Sequence, residues 1–380
     1  MIPKLKLGVA GLGRAFSAMV PTFKNDARIE LLAAADPRPE ARARFEADFA
    51  GKAFDSVEKL CAEPSVEVVY IATPHQFHAP NAIAAASCKK HILVEKPMAL
   101  SLEECRTMIA AARNARVQLV VGHSHSFDAP ILQAKKILSS GTLGRVRMLS
   151  AFNYTDFLYR LRRPEELDTA SGGGVLFNQA VHQVDIVRLL AGSRVKSVRA
   201  MTGAWDAARP TEGAYSCQLN FDDGSFATLV YSGYAHFDSD EFTGWIGEMG
   251  AKKDPLAYGS ARRLLSADEL KLKNERNYGG AAFRDLPKAR AHQHFGVVIV
   301  SCERGDLRPL PTGVMIYGDT EQRMDWLAPP KVPRSEVIDE LYEAVIKGTP
   351  PLHSGEWAMA TMGVCLAMLR SAREAREVLL

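Results

Sequence analysis

Short apolar runs alternate with stretches of helical spacing over the first third of the chain. Lys6–Ala10 reads as a buried strand, and a helix follows from Arg14 to Phe23. Ile29–Ala35 is a second apolar run, stopped by Asp36-Pro37, and Pro39–Ala50 carries helical spacing. Val66–Ala72, His91–Val94 and Val117–Val121 read as further strands, with helical stretches at 81–89 and from Ser101 to about Arg116. Ser101-Leu-Glu-Glu104 is a capping box, which marks a helix start. Strands alternating with helices pair in parallel through right-handed crossovers. Residues 1–122 are therefore expected to form a doubly wound α/β domain with a parallel sheet.

From residue 123 onward the spacing changes. Arg145–Tyr154 reads as a strand, and Gly172–Leu190 as a glycine-rich loop running into a helix. Val195–Trp205, Tyr215–Phe221 and Ser225–Gly233 read as strands in series, with Asp223-Gly224 as a hairpin turn. This predicts a second α/β domain over 123–380, built on an open, mainly antiparallel sheet. Residues 249–290 have weak periodicity and read as an irregular insertion, and helical spacing returns at Ser335–Lys347 and Glu356–Arg376.

Composition sharpens this picture. At 380 residues the chain exceeds the roughly 250–300 at which single cores stop growing, which agrees with two domains. A 47% apolar and 24% charged content excludes disorder and coiled coil. The balance of 47 basic against 44 acidic residues leaves +3, without the footprint of a nucleic-acid binder. Six cysteines without a Cys-x-x-Cys suggest a reduced, cytoplasmic chain rather than a disulfide scaffold or zinc knuckle. Arg14 and the early glycines interrupt the apolar start, which suits a strand and turn better than a signal peptide. No apolar run reaches the roughly 20 residues of a membrane span.

The chemistry starts at Gly11-x-Gly13-x-x-Phe16, an imperfect Gly-x-Gly-x-x-Gly. The first glycine permits a tight turn, and the second lets a pyrophosphate approach the backbone at a helix N-terminus. Phe16 stands where a small residue is usual. A plain turn would share this string, but it follows a strand and opens a helix. Asp36 follows Gly13 by 23 residues, the spacing of an acid that binds a ribose 2′-OH; a turn cap is the alternative. A carboxylate there repels a 2′-phosphate, so NAD is the expected cofactor, whereas Arg38 pulls toward NADP.

Ile71-Ala-Thr-Pro-His-Gln-Phe-His78, His91-Ile-Leu-Val-Glu-Lys-Pro97, Gly173-Gly174 and His182-Gln-Val-Asp185 occur in this order. Together they resemble the glucose–fructose oxidoreductase/inositol dehydrogenase/MocA-like (Gfo/Idh/MocA) family. The resemblance implies a Rossmann domain followed by an open α/β domain whose sheet often makes oligomer contacts, hence a homo-oligomer (dimer or tetramer). It implies NAD held by Gly11, Gly13, Arg14, Ala15, Phe16, Asp36, Arg38, Thr73, Pro74, His75, His78, Glu95 and Lys96. Gly11–Phe16, Arg160–Asp168, Gly172–Gln179 and Phe242–Met249 are similar to strings of the phthalate 4,5-cis-dihydrodiol dehydrogenase subfamily. This implies a small-molecule dicarboxylate diol as substrate.

Within that resemblance Lys96 reaches the substrate hydroxyl, unless Glu95 and Lys96 form only a surface ion pair. Asn178 and His182 are four apart on one helix face, with Asp185 three further. His182 or Lys96 would take the hydroxyl proton, since imidazole titrates near neutrality. The family commonly carries Asp at the position of Asn178, which here can position a substrate group but cannot take a proton. Asp185 either orients the imidazole or caps a salt bridge. Arg160, Arg162 and Arg163 form a cluster suited to a dicarboxylate, unless Glu165, Glu166 and Asp168 neutralise it on the surface. Tyr154 and His125 complete the substrate set. His123-x-His125 and His292-x-His294 lack a carboxylate or cysteine at metal-ligand spacing, so no metal is expected. A sugar or inositol dehydrogenase and a non-catalytic NAD-binding regulator are the alternatives.

Overall fold

The computed structural model describes residues 2–265 and 268–380. It divides into two compact units. The first comprises Met1–His123, Leu270–Leu286 and Val332–Met362; the second comprises Ser124–Glu269, Pro287–Lys331 and Gly363–Leu380.

Among the described residues the first unit holds six parallel strands: β1 (Leu5–Ala10), β2 (Ile29–Ala35), β3 (Lys52–Phe54), β4 (Val68–Ile71), β5 (His91–Val94) and β6 (Leu119–Val121). Their order is β3-β2-β1-β4-β5-β6, the doubly wound Rossmann arrangement. β4 is buried at every position, as expected of a parallel strand covered on both faces. The helix Leu102–Ala115 starts at the Ser101/Glu104 capping box. β3 escapes a periodicity reading because three residues at a sheet edge carry no pattern.

A linear cut after residue 122 leaves out two later segments that pack in this first unit. Around 353, the chain returns to β6, where Val121 N–H donates to His353 C=O at 2.9 Å and Val120 bridges Ser354. Around 278, Tyr278 is fully buried against Phe16, ring edge to face at 4.9 Å and 89°. Phe16 also meets Phe23, Phe45 and Phe49 at 6.1–6.4 Å. The residue that breaks the glycine motif therefore anchors an aromatic cluster between the helices Arg14–Asn25 and Pro39–Phe49.

The second unit holds nine strands among the described residues: β7 (Val146–Tyr154), β8 (Val195–Gly203), β9 (Ala214–Phe221), β10 (Phe226–Ser232), β11 (Val297–Cys302), β12 (Gly305–Leu310), β13 (Gly313–Tyr317), β14 (Gln322–Trp326) and β15 (Val378–Leu379). Their order is β14-β13-β12-β11-β7-β10-β9-β8-β15, and only β10–β7 pairs in parallel. Asp223-Gly224 closes the β9–β10 hairpin, with Gly224 at φ +84°. The sequence reading passed over β11 to β14. β11 is the apolar run Val297–Cys302, whereas β12 carries Pro309, β13 opens at Gly313 and β14 buries no residue fully, so no clean period of two develops there. The stretch read as irregular contains a helix, Glu269–Arg276, that buries none of its residues and so shows no apolar face. No helix among the described residues is long and apolar enough to cross a membrane.

The aromatic cluster yields a direct check. Phe16→Ala brings position 16 closer to the usual motif, yet it should lower stability by about 3–5 kcal/mol by emptying a filled site. Thermal or denaturant unfolding of the purified variant measures this, and an unchanged midpoint would remove Phe16 from the core.

Candidate active site

The carboxyl ends of β1, β2, β4 and β5 carry the residues expected to hold a dinucleotide. Gly11 sits at φ +93°, and a Cβ there would lie 2.8 Å from Ala72 C=O, so glycine is required. Gly13 caps the helix Arg14–Asn25 with no side-chain hydrogen bond, and a Cβ on it would meet nothing within 4 Å. Open space over unsatisfied helix N–H groups fits a pyrophosphate. Arg14 is exposed on this first turn and Ala15 is half-buried, while Phe16 points into the core. The structure thus makes Phe16 a packing residue rather than a cofactor contact.

Asp36 is 6% exposed and accepts Leu12 N–H at 2.8 Å. Its other oxygen accepts Arg38 N–H at 2.9 Å and Arg38 Nε–H at 3.0 Å. Thr73, Pro74 and His75 form a half-buried turn after β4, where Thr73 Oγ1 accepts from Asn81 Nδ2 at 3.0 Å. His78 does not fit the cofactor role expected of it. It is fully buried, and its ring nitrogens lie 2.9 Å from Thr73 C=O and 2.8 Å from Pro97 C=O. Burial holds its pKa below the ordinary imidazole range. His78 is a strut joining the turns after β4 and β5.

Glu95 likewise turns inward and accepts the Tyr70 hydroxyl at 2.6 Å. Burial pushes its carboxyl upward, against the charge of Arg334 and the Tyr70 hydrogen bond. It is therefore neither a surface ion pair nor an exposed cofactor contact. Lys96 follows at the end of β5, half-buried.

In the second unit, His125 and His182 lie 4.7 Å apart, ring centroid to centroid, and both pack on Phe295. His125 Nδ1 is 2.7 Å from Asp128 Oδ2, and Nε2 is 3.3 Å from Glu248 Oε1. Burial opposes a charge on His125, but Asp128 and then Glu248 outweigh it and lift the pKa to about 9. The His125 backbone N–H donates to His182 Nδ1 at 3.4 Å, which leaves the proton of a neutral His182 ring on Nε2. Asp185 accepts Ser126 Oγ–H at 2.5 Å and lies 3.8 Å from Arg188.

Asn178 lies in a π-helical turn, Leu176–Ala180, ahead of the α-helix Val181–Ala191. Its amide nitrogen donates to Gly174 C=O at 2.8 Å and Gly172 C=O at 3.3 Å, so it pins the glycine loop. The three arginines separate. Arg163 lies 2.8 Å from Glu165 and 3.5 Å from Glu166, the neutralised surface arrangement. Arg162 lies half-buried over the Phe157 ring at 3.7 Å, and its Nε has no hydrogen-bond partner. Arg160 extends to Asp156 at 3.3 Å and to Glu248 at 4.0 Å, so Glu248 links it to His125. Tyr154 lines an aromatic cavity of about 670 Å³ with Tyr159, Trp205, Tyr234 and Phe237.

His292 and His294 place Nε2 2.8 Å from the carbonyls of Ala328 and Ile246. Among the described residues no group of three or more His, Cys, Asp or Glu side chains is placed to hold a metal ion. Sequence reasoning missed Asp128, Glu248 and Phe295. Asp128, three residues after His125, was the one with a spacing signal.

A family profile described as "Oxidoreductase family, NAD-binding Rossmann fold" matches residues 5–123, and a "GFO/IDH/MocA C-terminal domain" matches 131–251. The chain belongs to the Gfo/Idh/MocA family. It is an NAD-dependent oxidoreductase, and its glycine turn and Asp36 supply the expected fit. It is 49% identical to the 1-carboxy-3-chloro-3,4-dihydroxycyclohexa-1,5-diene dehydrogenase of Comamonas testosteroni, over 97% of this chain and 95% of that one. It is 30% identical to the myo-inositol 2-dehydrogenase of Thermotoga maritima, over 51% of this chain and 57% of that one. A crystal structure of a Bordetella bronchiseptica RB50 protein superposes with a TM-score of 0.94 at 42% identity, covering 99% of this chain and 100% of that one.

The raised pKa of His125 has a measurable consequence for this oxidoreductase. The folded value, about 9, lies above the ordinary 6.5, so the stabilisation is fully present below pH 6.5 and is lost as pH rises through about 9. Its full size is on the order of 3 kcal/mol. Asp128→Asn should flatten that part of the stability–pH curve, and NMR titration of His125 should show its pKa falling.

Proposed function

We propose that this oxidoreductase converts phthalate 4,5-cis-dihydrodiol to 4,5-dihydroxyphthalate. The observation that carries the reading is the chain Arg160–Glu248–His125, a cation held beside the paired histidines. A carboxylated substrate needs such a partner, and a neutral polyol does not. The extended likeness to a dehydrogenase named for a carboxylated dihydroxycyclohexadiene supports the same class. Arg162, with its unpartnered Nε, is the candidate for the second carboxylate.

Bound NAD supplies the acceptor for the hydride from the carbinol carbon. Lys96 takes the hydroxyl proton. In a neutral His182 ring the His125 N–H at Nδ1 puts the proton on Nε2, which can donate to a substrate oxygen. His125 stays protonated between Asp128 and Glu248, which supplies positive charge rather than a base. The enone that leaves this step tautomerises to the catechol, and aromatisation drives the overall reaction.

The deciding assay is NAD reduction with the phthalate diol against a panel of cis-diols and polyols. Turnover of polyols alone would favour an inositol-type dehydrogenase, the reading that the Thermotoga likeness supports. No turnover at all would favour a regulator. Lys96→Ala should lower kcat by about 100-fold or more with little change in dinucleotide affinity. Arg160→Gln should raise KM about tenfold for carboxylated diols and leave KM for neutral polyols unchanged.

We also infer a homo-oligomer. Paired positions Met148 and Phe226 are 38% and 47% exposed, and Ile299 nearby on the same sheet is 37% exposed. An apolar sheet face of this kind favours burial against another copy. Sedimentation should give a dimer or tetramer, and a monomer at working concentration would overturn the inference.

A further inference from the structure

The choice between NAD and NADP rests on which group faces the ribose 2′ position, and this chain places opposing signals there. Asp36 repels a phosphate and Arg38 attracts one. In the structure the two are a pair. Arg38 Nε–H and backbone N–H donate to one Asp36 oxygen, and Arg38 Nη2 reaches the other at 3.3 Å. Nη2 also donates to Leu12 C=O at 2.9 Å, and Nη1 donates to Tyr278 C=O at 3.3 Å. The guanidinium is thereby held on three sides, one of them supplied by a segment 240 residues away in sequence.

That segment is itself fixed at two points. The Tyr278 hydroxyl donates to Asp48 Oδ2 at 2.8 Å and lies 3.2 Å from Arg44 C=O, while its ring sits edge-on to Phe16. Gly279, at φ +80°, lies so close to the helix Pro39–Phe49 that a Cβ would come within 2.6 Å of Ala41 Cα. The carbonyl that receives Arg38 is thus held by an aromatic contact on one side and a glycine contact on the other.

We infer that Tyr278 is a positioning residue for cofactor choice: it keeps Arg38 folded onto Asp36, and so denies a 2′-phosphate the cation it would need. The neutral Asp36–Arg38 pair can exchange hydrogen bonds with a ribose diol, whose hydroxyls both donate and accept. A phosphate dianion finds the carboxylate facing it and the guanidinium already committed. Loosening the Tyr278 anchor lets Arg38 turn outward, where it can receive a phosphate as a bidentate partner.

The test is direct binding to the full chain and needs no substrate. NADH and NADPH are titrated by fluorescence into the natural protein, Tyr278→Ala and Tyr278→Phe. The natural protein should prefer NADH. Tyr278→Ala should narrow that preference by about tenfold, through tighter NADPH binding with NADH affinity changed by less than about threefold. Tyr278→Phe keeps the ring against Phe16 and loses only the hydroxyl ties, so it should fold and narrow the preference by about twofold to threefold. A merely structural role would weaken both dinucleotides together and leave their ratio alone. Parallel loss of both affinities, or an unchanged ratio in the folded variants, overturns the inference.

Discussion

Parallel pairing of β1 with β2 on one side and β4 on the other is the constraint from which the cofactor end of the first unit follows. Strand order reverses at β1, so the crossovers from β1 and β4 leave in opposite directions and open a gap above the strand ends. Gly11, Asp36, Thr73 and Lys96 each stand just past a strand end. None of them chooses its place individually; the register of the sheet chooses for all of them. Buried ties then stiffen the turns: Leu12 N–H to Asp36, His78 between Thr73 and Pro97, and Tyr70 to Glu95. Each satisfies a polar group that would otherwise be costly where water is excluded.

The second unit works through charge rather than register. A buried imidazole between two carboxylates is cheaper to protonate than to leave neutral, so His125 carries positive charge well above neutral pH. Glu248 is the joint of this arrangement, because its two oxygens face His125 and Arg160. The three arginines of the 160–163 stretch look equivalent in sequence, yet each has a separate fate. Arg163 is neutralised by its neighbours, Arg162 is stacked on Phe157, and Arg160 is joined to the histidine group.

Much of this was legible from residue order. The strands Ile29–Ala35 and His91–Val94, the capping box at Ser101 and the Asp223-Gly224 hairpin stand where periodicity and turn chemistry placed them. Each is a local preference that packing later reinforces. The misreadings have a common cause. His78 and Glu95 sit inside a motif and were assigned by it, but a motif does not say which way a side chain points. β12, β14 and the helix Glu269–Arg276 lack a clean apolar face, so no period announces them.

The sequence by itself determined the doubly wound first domain, the NAD-binding glycine turn and the family, because these depend on short-range patterns of apolar, glycine and acidic positions. Tertiary structure alone decided that Phe16 is a core residue and that Tyr278 returns to hold Arg38. It also decided that Glu248 joins His125 to Arg160. Those contacts span from 88 to 262 residues of chain, and only the folded backbone brings such positions within hydrogen-bonding or van der Waals reach. The charge sum of +3 likewise concealed them, since a sum over the whole chain contains no information about which charges meet.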